Sequence, residues 1–87
     1  MAGKAGQPRA RERIYLTFPK NLIKEPILST LAKQFDVVFN IRGSTVTTEM
    51  ALVAIELYGD QREVEKAISW LRIKGVTVEP IAKNVIE

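Results

Sequence analysis

The chain has 87 residues, of which 46% are hydrophobic and 26% charged, and its formal net charge is +3. This length fits one small domain, and no apolar run approaches the roughly 18 residues that a membrane-spanning helix needs. The sequence contains no Cys and no His, which excludes disulfides, thiol nucleophiles and thiolate zinc sites and argues against catalysis. We therefore expect no metal, no cofactor, no catalytic residue and no membrane insertion. The basic, polar N-terminus shows no apolar leader, so we expect a cytoplasmic protein.

The charge is concentrated at the start of the chain. Residues 1–11 hold three basic residues among Gly, Pro and Gln, a composition that predicts a flexible tail because it leaves little apolar surface to bury. We expect a folded domain over 12–82 and a second tail over 83–87. A solvated tail is the simplest interpretation of the basic residues, and an anion-binding arm is the alternative. The charges nearly balance from residue 12 onward, so we expect no nucleic-acid partner.

The first predicted elements are a strand and a helix. Apolar residues alternate with more polar ones over 13–18, as in a strand with one face against a core. Pro26 then fits a first helical turn, and apolar residues follow at spacings of three and four. The predicted apolar stripe of this helix consists of Ile27, Leu28, Leu31 and Phe35.

A hairpin is predicted next. The second strand begins near residue 37 and is interrupted at Gly43, which within a strand indicates a bulge or the close approach of a ligand or another backbone. The β-prone but polar stretch over 45–48 is typical of an exposed edge, and residues 49–50 should lie at or near the turn. Strict alternation over 51–58 predicts the strongest strand.

The last elements are a second helix and a fourth strand. Asp60 followed by Glu63 predicts an N-cap with a capping box, in which each side chain accepts from a backbone N–H of the first turn. Gly75 suits the left-handed residue after a helix. The final strand is expected over 76–81, and Pro80 favours an edge position because proline cannot donate to a ladder.

This order of elements predicts an α+β, ferredoxin-like βαββαβ fold, with a four-stranded antiparallel sheet and two helices on one face. The opposite face is left bare, with more apolar surface than a stable monomer exposes. We therefore expect a homodimer or a protein partner on this open face. The expected interface residues are Tyr15, Val38, Leu52 and Ala54.

Several short motifs resemble, in their order and spacing, those of the NIL domain family. They are Phe18-Pro19, Leu22-Ile23 with Glu25-Pro26, Phe35, the run from Val37 to Gly43, the strand end from Glu56 to Gly59, the run from Ala67 to Leu71, and Gly75-Val76. The resemblance extends from about residue 13 to 81 and implies an ACT-like domain of the kind found at the C-terminus of methionine importer ATPase subunits. Such a domain dimerises and binds methionine near the dimer interface, which restrains transport; here it would be a stand-alone regulatory protein.

Three residues of the second strand are candidate ligand-binding residues. Asn40 matches the family asparagine linked to methionine binding, and a carboxamide can both donate to a carboxylate and accept from an ammonium group. An ordinary exposed strand asparagine is the alternative interpretation. Arg42 can pair with a carboxylate, and Gly43 lies beside it. Phe39 and Ile41 are expected in the core instead.

The chain departs from the importers in two respects. It has no glycine-rich phosphate-binding loop with a following lysine, so ATP hydrolysis and transport are not implied. The segment 44–50 is also shorter than in the importers and lacks their glycine-rich aromatic hairpin.

Two other classes share this order of elements. An RNA-recognition domain would stack bases on its third strand, where Leu52, Ala54 and Glu56 provide no platform. An acylphosphatase-like enzyme would need a phosphate-cradling loop with a placed arginine over 18–23. This segment provides Lys20 and Asn21 but no glycine. We therefore expect a non-catalytic, dimeric regulatory domain that binds a small molecule such as methionine or a related amino acid. The alternative is a protein interaction module that uses the open face without a small ligand.

Overall fold

The structure is a computed structural model that describes residues 8–81. Its elements are β1 (Arg9–Pro19), a 3-10 turn (Lys20–Leu22), α1 (Ile27–Gln34), β2 (Val37–Val46), β3 (Met50–Asp60), α2 (Gln61–Lys74) and β4 (Thr77–Pro80). The strands form one antiparallel sheet in the order β2-β3-β1-β4. Both helices pack on one face of it, so the predicted ferredoxin-like fold is confirmed.

The core lies between this sheet face and the helices. Alternate residues of β1 and β3 are buried because successive strand side chains point to opposite faces. The largest fully buried side chains are Leu16, Leu31, Ile55, Leu57, Val64 and Leu71. Each such side chain stabilises the fold by roughly 1.5–3 kcal/mol relative to an exposed one. Phe39 packs at the margin of the core, as expected.

The first strand begins at Arg9, four residues earlier than predicted. β1 pairs with β3 along its whole length, from Arg9 opposite Asp60 to Pro19 opposite Met50. Backbone pairing with a long neighbour therefore orders this mostly charged stretch, in which Ala10 packs against the core, and composition alone does not reveal such pairing. Arg9 and Arg11, expected in the flexible tail, belong to the sheet. The rest of the expected N-terminal tail before residue 8, and residues 82–87, lie outside the described residues.

Side chains and glycine define the ends of α2. The carboxylate of Asp60 accepts from the N–H of Arg62 at 3.3 Å, and Gly75 follows the helix with a φ of 106°, as predicted. The capping-box role of Glu63 is wrong, because its carboxylate accepts instead from the N–H of Asp36 at 3.0 Å. This hydrogen bond ties the start of α2 to the loop before β2.

A bulge interrupts β2 where the glycine predicted it. Ile41 pairs with Ile55 and Gly43 with Ala54, so Arg42 is the extra residue. Ile41 shares the helix-side face with buried Ile55, yet it is 57% exposed. Its predicted place in the core is wrong because β2 is the edge strand and the helices leave this part of it uncovered.

Candidate functional site

The open face of the sheet carries an apolar patch. Tyr15 lies opposite Ala54, and Leu52 lies two residues before Ala54 on the same face of β3. Tyr15 and Leu52 are 42% and 38% exposed, and Ala54 is half-buried. We call Tyr15, Leu52 and Ala54 the apolar patch. Val38 is 51% exposed but lies opposite Tyr58, away from this patch.

One exposed residue near this patch was not predicted. Met50 lies on the same strand face as Leu52 and is 41% exposed. The sequence does not predict which face Met50 occupies, because the register of the hairpin decides this for a residue that flanks the turn.

A polar group adjoins the apolar patch. Glu56 lies between Asn40 on β2 and Arg13 on β1, its two cross-strand partners. Its carboxylate forms ion pairs with Arg13 Nε at 3.3 Å, Arg42 Nη1 at 3.9 Å and Arg11 Nε at 4.0 Å. The Glu56 side chain is 12% exposed, whereas the three arginine side chains remain more than half exposed. We call Asn40, Arg42, Glu56 and the two β1 arginines the Glu56 cluster.

The Glu56 cluster has surplus positive charge. Three guanidinium groups surround one carboxylate, which leaves two positive charges without a counterion in the cluster. Because the guanidinium groups are largely solvated, each ion pair contributes little to stability, about 1 kcal/mol or less. A guanidinium carries five N–H donors, so most donors of this cluster stay available to an outside anion.

The cluster complements a zwitterion. Arg42 can pair with an α-carboxylate, and the Oε1 atom of Glu56, which lies 3.9 Å from Arg42 Nη1, can accept from an α-ammonium group. Asn40, opposite Glu56, can serve either group. Ala54 is the neighbour of Glu56 on the same face of β3, two residues earlier in the strand. An apolar ligand side chain would therefore extend onto the apolar patch.

Gly43 lies beside these groups, in open space on the protein surface. It is exposed, and an added Cβ would have no heavy atom within 4 Å. The fold itself therefore does not require a glycine there. The three predicted ligand-binding residues, Asn40, Arg42 and Gly43, thus lie on one exposed stretch of β2.

Cavities occur elsewhere. A cavity of about 720 Å³ lies between the 3-10 turn and the β2–β3 hairpin, and its lining includes Lys20, Lys24 and Thr47. A second cavity of about 290 Å³ lies between α1 and the sheet and shares Ile23 with the first. We call the two together the hairpin groove. Sequence reasoning missed it because its walls come from three separate segments; the one local signal is the loop bounded by Pro19 and Pro26.

A third cavity, of about 540 Å³, is polar and includes Asp36, Asp60 and Glu63. The N–H of Asp36 lowers the pKa of Glu63, since its hydrogen bond stabilises the ionised carboxylate. Across residues 8–81, no set of three or more acidic side chains is arranged to hold a metal ion. In the same range, no helix is both long and apolar enough to cross a membrane.

Known proteins resemble this chain in sequence and fold. The model of the NIL domain family matches residues 12–80. The methionine import ATP-binding protein MetN of Myxococcus xanthus is 32% identical over 76 residues, which cover 83% of this chain and 23% of that protein. The L-aspartate semialdehyde sulfurtransferase iron-sulfur subunit of Methanocaldococcus jannaschii is also 32% identical, over 86% of this chain and 56% of that protein.

A solved structure supports the fold. The C-terminal domain of an ABC transporter ATP-binding protein from Enterococcus faecalis superimposes with a TM-score of 0.72 at 23% identity, over 84% of this chain and 86% of that one. The chain spans less than a quarter of the MetN protein and about half of the sulfurtransferase subunit. Because the family model covers most of the described residues, this chain belongs to the NIL domain family.

Proposed function

We propose that this chain is a regulatory domain without chemistry of its own, which binds an α-amino acid such as methionine and acts as a dimer in the cytoplasm. Relatives named as methionine import ATP-binding proteins support the choice of ligand. The observation that carries the proposal is the position of Asn40, Arg42 and Glu56 next to the apolar patch.

The ligand would lie on the open face with its charges paired. Its carboxylate would bind Arg42, and its ammonium group would bind Glu56 and the Asn40 carboxamide. Its side chain would then lie over Ala54 and Leu52. This arrangement favours a free amino acid with an unbranched apolar side chain over a compound that lacks either charge.

A second copy of the chain would complete the site. Small-molecule sites bury about 70–90% of the ligand, and an open sheet face covers only one side of it. Tyr15, Leu52 and Val38 are exposed on that face. Pairing two open faces would bury these side chains and close the ligand between the copies, which explains why binding and dimerisation would be coupled.

Calorimetric titration of the full chain tests the ligand. We expect saturable methionine binding, with no binding of N-acetylmethionine or methionine methyl ester, since each lacks one ligand charge. Asn40→Ala should weaken binding about five-fold or more, because losing a hydrogen bond to a charged group costs about 1–3 kcal/mol. Asn21→Ala, in the hairpin groove, is the matched control and should bind like the wild type. Flat titrations across a panel of amino acids would refute the proposal, and loss of binding in the control alone would refute this site.

The exposed apolar patch favours a second candidate, a protein interaction module that needs no small ligand. Leu52→Lys places a charge at the centre of the patch without disturbing the core, since Leu52 points to the open face. In that case the variant should abolish self-association or partner recovery while amino acids have no effect on either. Sedimentation of the wild type and variant, each with and without methionine, separates the two candidates.

A further inference from the structure

A row of arginines runs along one end of β1. Arg9, Arg11 and Arg13 occupy alternate strand positions, so all three lie on the open face, about 6.6–6.8 Å apart along the strand. We call these three residues the arginine row. All three are exposed. The row shares Arg11 and Arg13 with the Glu56 cluster, whereas the amino-acid site proposed above uses Asn40, Arg42 and Glu56 of that cluster.

The same stretch of β1 has an unpaired edge within the described residues. β4 pairs only with residues 14–17 of β1, and beyond them the N–H of Ile81 donates to the carbonyl of Arg13 at 2.9 Å. No strand between residues 8 and 81 pairs with this side of β1 from Arg9 to Glu12. Backbone groups alternate in direction along a strand, so those of Arg9 and Arg11 point to the same side as the Arg13 carbonyl.

Positive charge exceeds negative charge at this end of the face. Four arginines, the row and Arg42, lie near Glu56 opposite Arg13 and Asp60 opposite Arg9, and Glu79, opposite Tyr15, is the next carboxylate on this face. The remaining surplus of positive charge attracts an anionic partner.

We propose that the arginine row and the adjoining edge of β1 bind an extended acidic segment of a partner protein. The segment adds to the sheet as a strand next to Arg9–Glu12, and its main chain bonds to the exposed backbone groups. Its carboxylates, at alternate positions, face Arg9 and Arg11, since directly opposed side chains of paired strands lie about 4.5–5.5 Å apart. Ile81 already occupies the position beside Arg13. Guanidinium and carboxylate groups then form charge-assisted hydrogen bonds.

A nucleic acid fits the same surface less well. The Arg11 guanidinium lies over the Tyr58 ring, 5.3 Å from its centroid, so this ring face does not present a stacking platform to a base. Glu56 and Asp60 lie within the patch and repel a continuous phosphate backbone. Separate carboxylates on an extended peptide can be placed opposite the arginines instead.

Fluorescence anisotropy with the full chain tests this proposal. The probe is a labelled hexapeptide, Glu-Thr-Glu-Val-Glu-Thr, and the control peptide replaces each Glu by Gln. We expect saturable binding of the acidic peptide, at least about five-fold tighter than the control and weaker as salt is raised. Arg9→Gln with Arg11→Gln should weaken binding about three- to ten-fold. Lys20→Gln with Lys24→Gln removes the same charge elsewhere and should leave binding unchanged.

Hydrogen exchange locates the peptide. Binding should slow exchange of the Arg9 and Arg11 amides, which identifies strand addition and not contact with the face alone. Equal affinity for both peptides, or equal losses in the two double variants, would overturn the proposal. Tighter binding of a single-stranded oligonucleotide that the Arg9→Gln and Arg11→Gln changes also weaken would overturn it too. Peptide binding only after removal of residues 82–87 would likewise overturn it, because the chain itself would then cover the edge. The methionine titration of Asn40→Ala and the peptide titrations use different ligands and change different residues, so either proposal can fail without the other.

Discussion

Replacing Gly59 by alanine should destabilise this domain by about 1–3 kcal/mol, whereas the same change at Gly43 should be neutral or slightly stabilising. Gly59 lies near the end of β3, where the chain entering β2 runs alongside it. A Cβ there would lie 2.9 Å from the carbonyl oxygen of Asp36 and 3.4 Å from the Cα of Val37. Both neighbours are backbone atoms, so no side-chain rotation relieves the contact.

The surroundings of Gly59 resist a shift. The N–H of Asp36 donates to Glu63 at 3.0 Å, and Val37 pairs directly with Gly59 in the sheet. Moving the Asp36 carbonyl away would therefore strain either the start of α2 or the first pair of β2. Overpacking of this kind costs about 1–3 kcal/mol. At Gly43 no atom lies within 4 Å of the added methyl group, and the gain from a less flexible unfolded chain is about 0.4–1 kcal/mol.

Thermal unfolding followed by circular dichroism measures both variants. In a domain of this size, 1 kcal/mol shifts Tm by about 4–8 °C, so Gly59→Ala should lower Tm by at least about 4 °C. Gly43→Ala should match or exceed the wild type. Equal midpoints for the two variants would show that the Asp36 carbonyl does not restrict Gly59. Since Gly43→Ala keeps the fold, any loss of methionine binding by it would report steric contact with the ligand.

Three further changes test other contacts. Leu16→Ala, at a position with no solvent exposure, should cost about 2–5 kcal/mol in denaturant unfolding; a smaller loss would mean that the core collapses into the space. Thr47→Val removes a hydroxyl that accepts from the backbone N–H groups of residues 49 and 50 at 3.1 and 3.2 Å, and should cost about 0.5–1.5 kcal/mol, against no change for Thr48→Val. Glu63 has a lowered pKa in the folded state because Asp36 N–H donates to it, so its contribution is present above its unfolded pKa and is lost as pH falls through the folded one. The stability difference between wild type and Glu63→Gln should therefore shrink in acid, and a difference independent of pH would contradict this.

Elements with strong local signals agree with their predictions. The second helix begins at the predicted N-cap and ends before Gly75, because capping and the left-handed residue depend on a few neighbouring residues. The alternation that predicted β3 reappears as its burial pattern. The bulge near Gly43 follows from the same kind of local signal.

Features that depend on distant partners were missed or wrongly placed. Composition assigned Arg9 and Arg11 to a tail, but β3 pairs with them and makes them part of the sheet. Glu63 had a local capping role in the sequence, yet the loop at Asp36 supplies its donor. Ile41 has the apolar side chain of a core residue but occupies an edge strand that the helices leave exposed.

The sequence by itself therefore determined the order of strands and helices, the side of each strand that faces the core, and the absence of cysteine and histidine chemistry. These follow from residue types and from spacing along the chain. Only the tertiary structure decided that Glu56 contacts arginines from β1 and β2, and that the arginine row lies beside an edge with which no strand of residues 8–81 pairs. The physical reason is that strand pairing and its register bring together residues far apart in sequence, and neither is readable from any one segment.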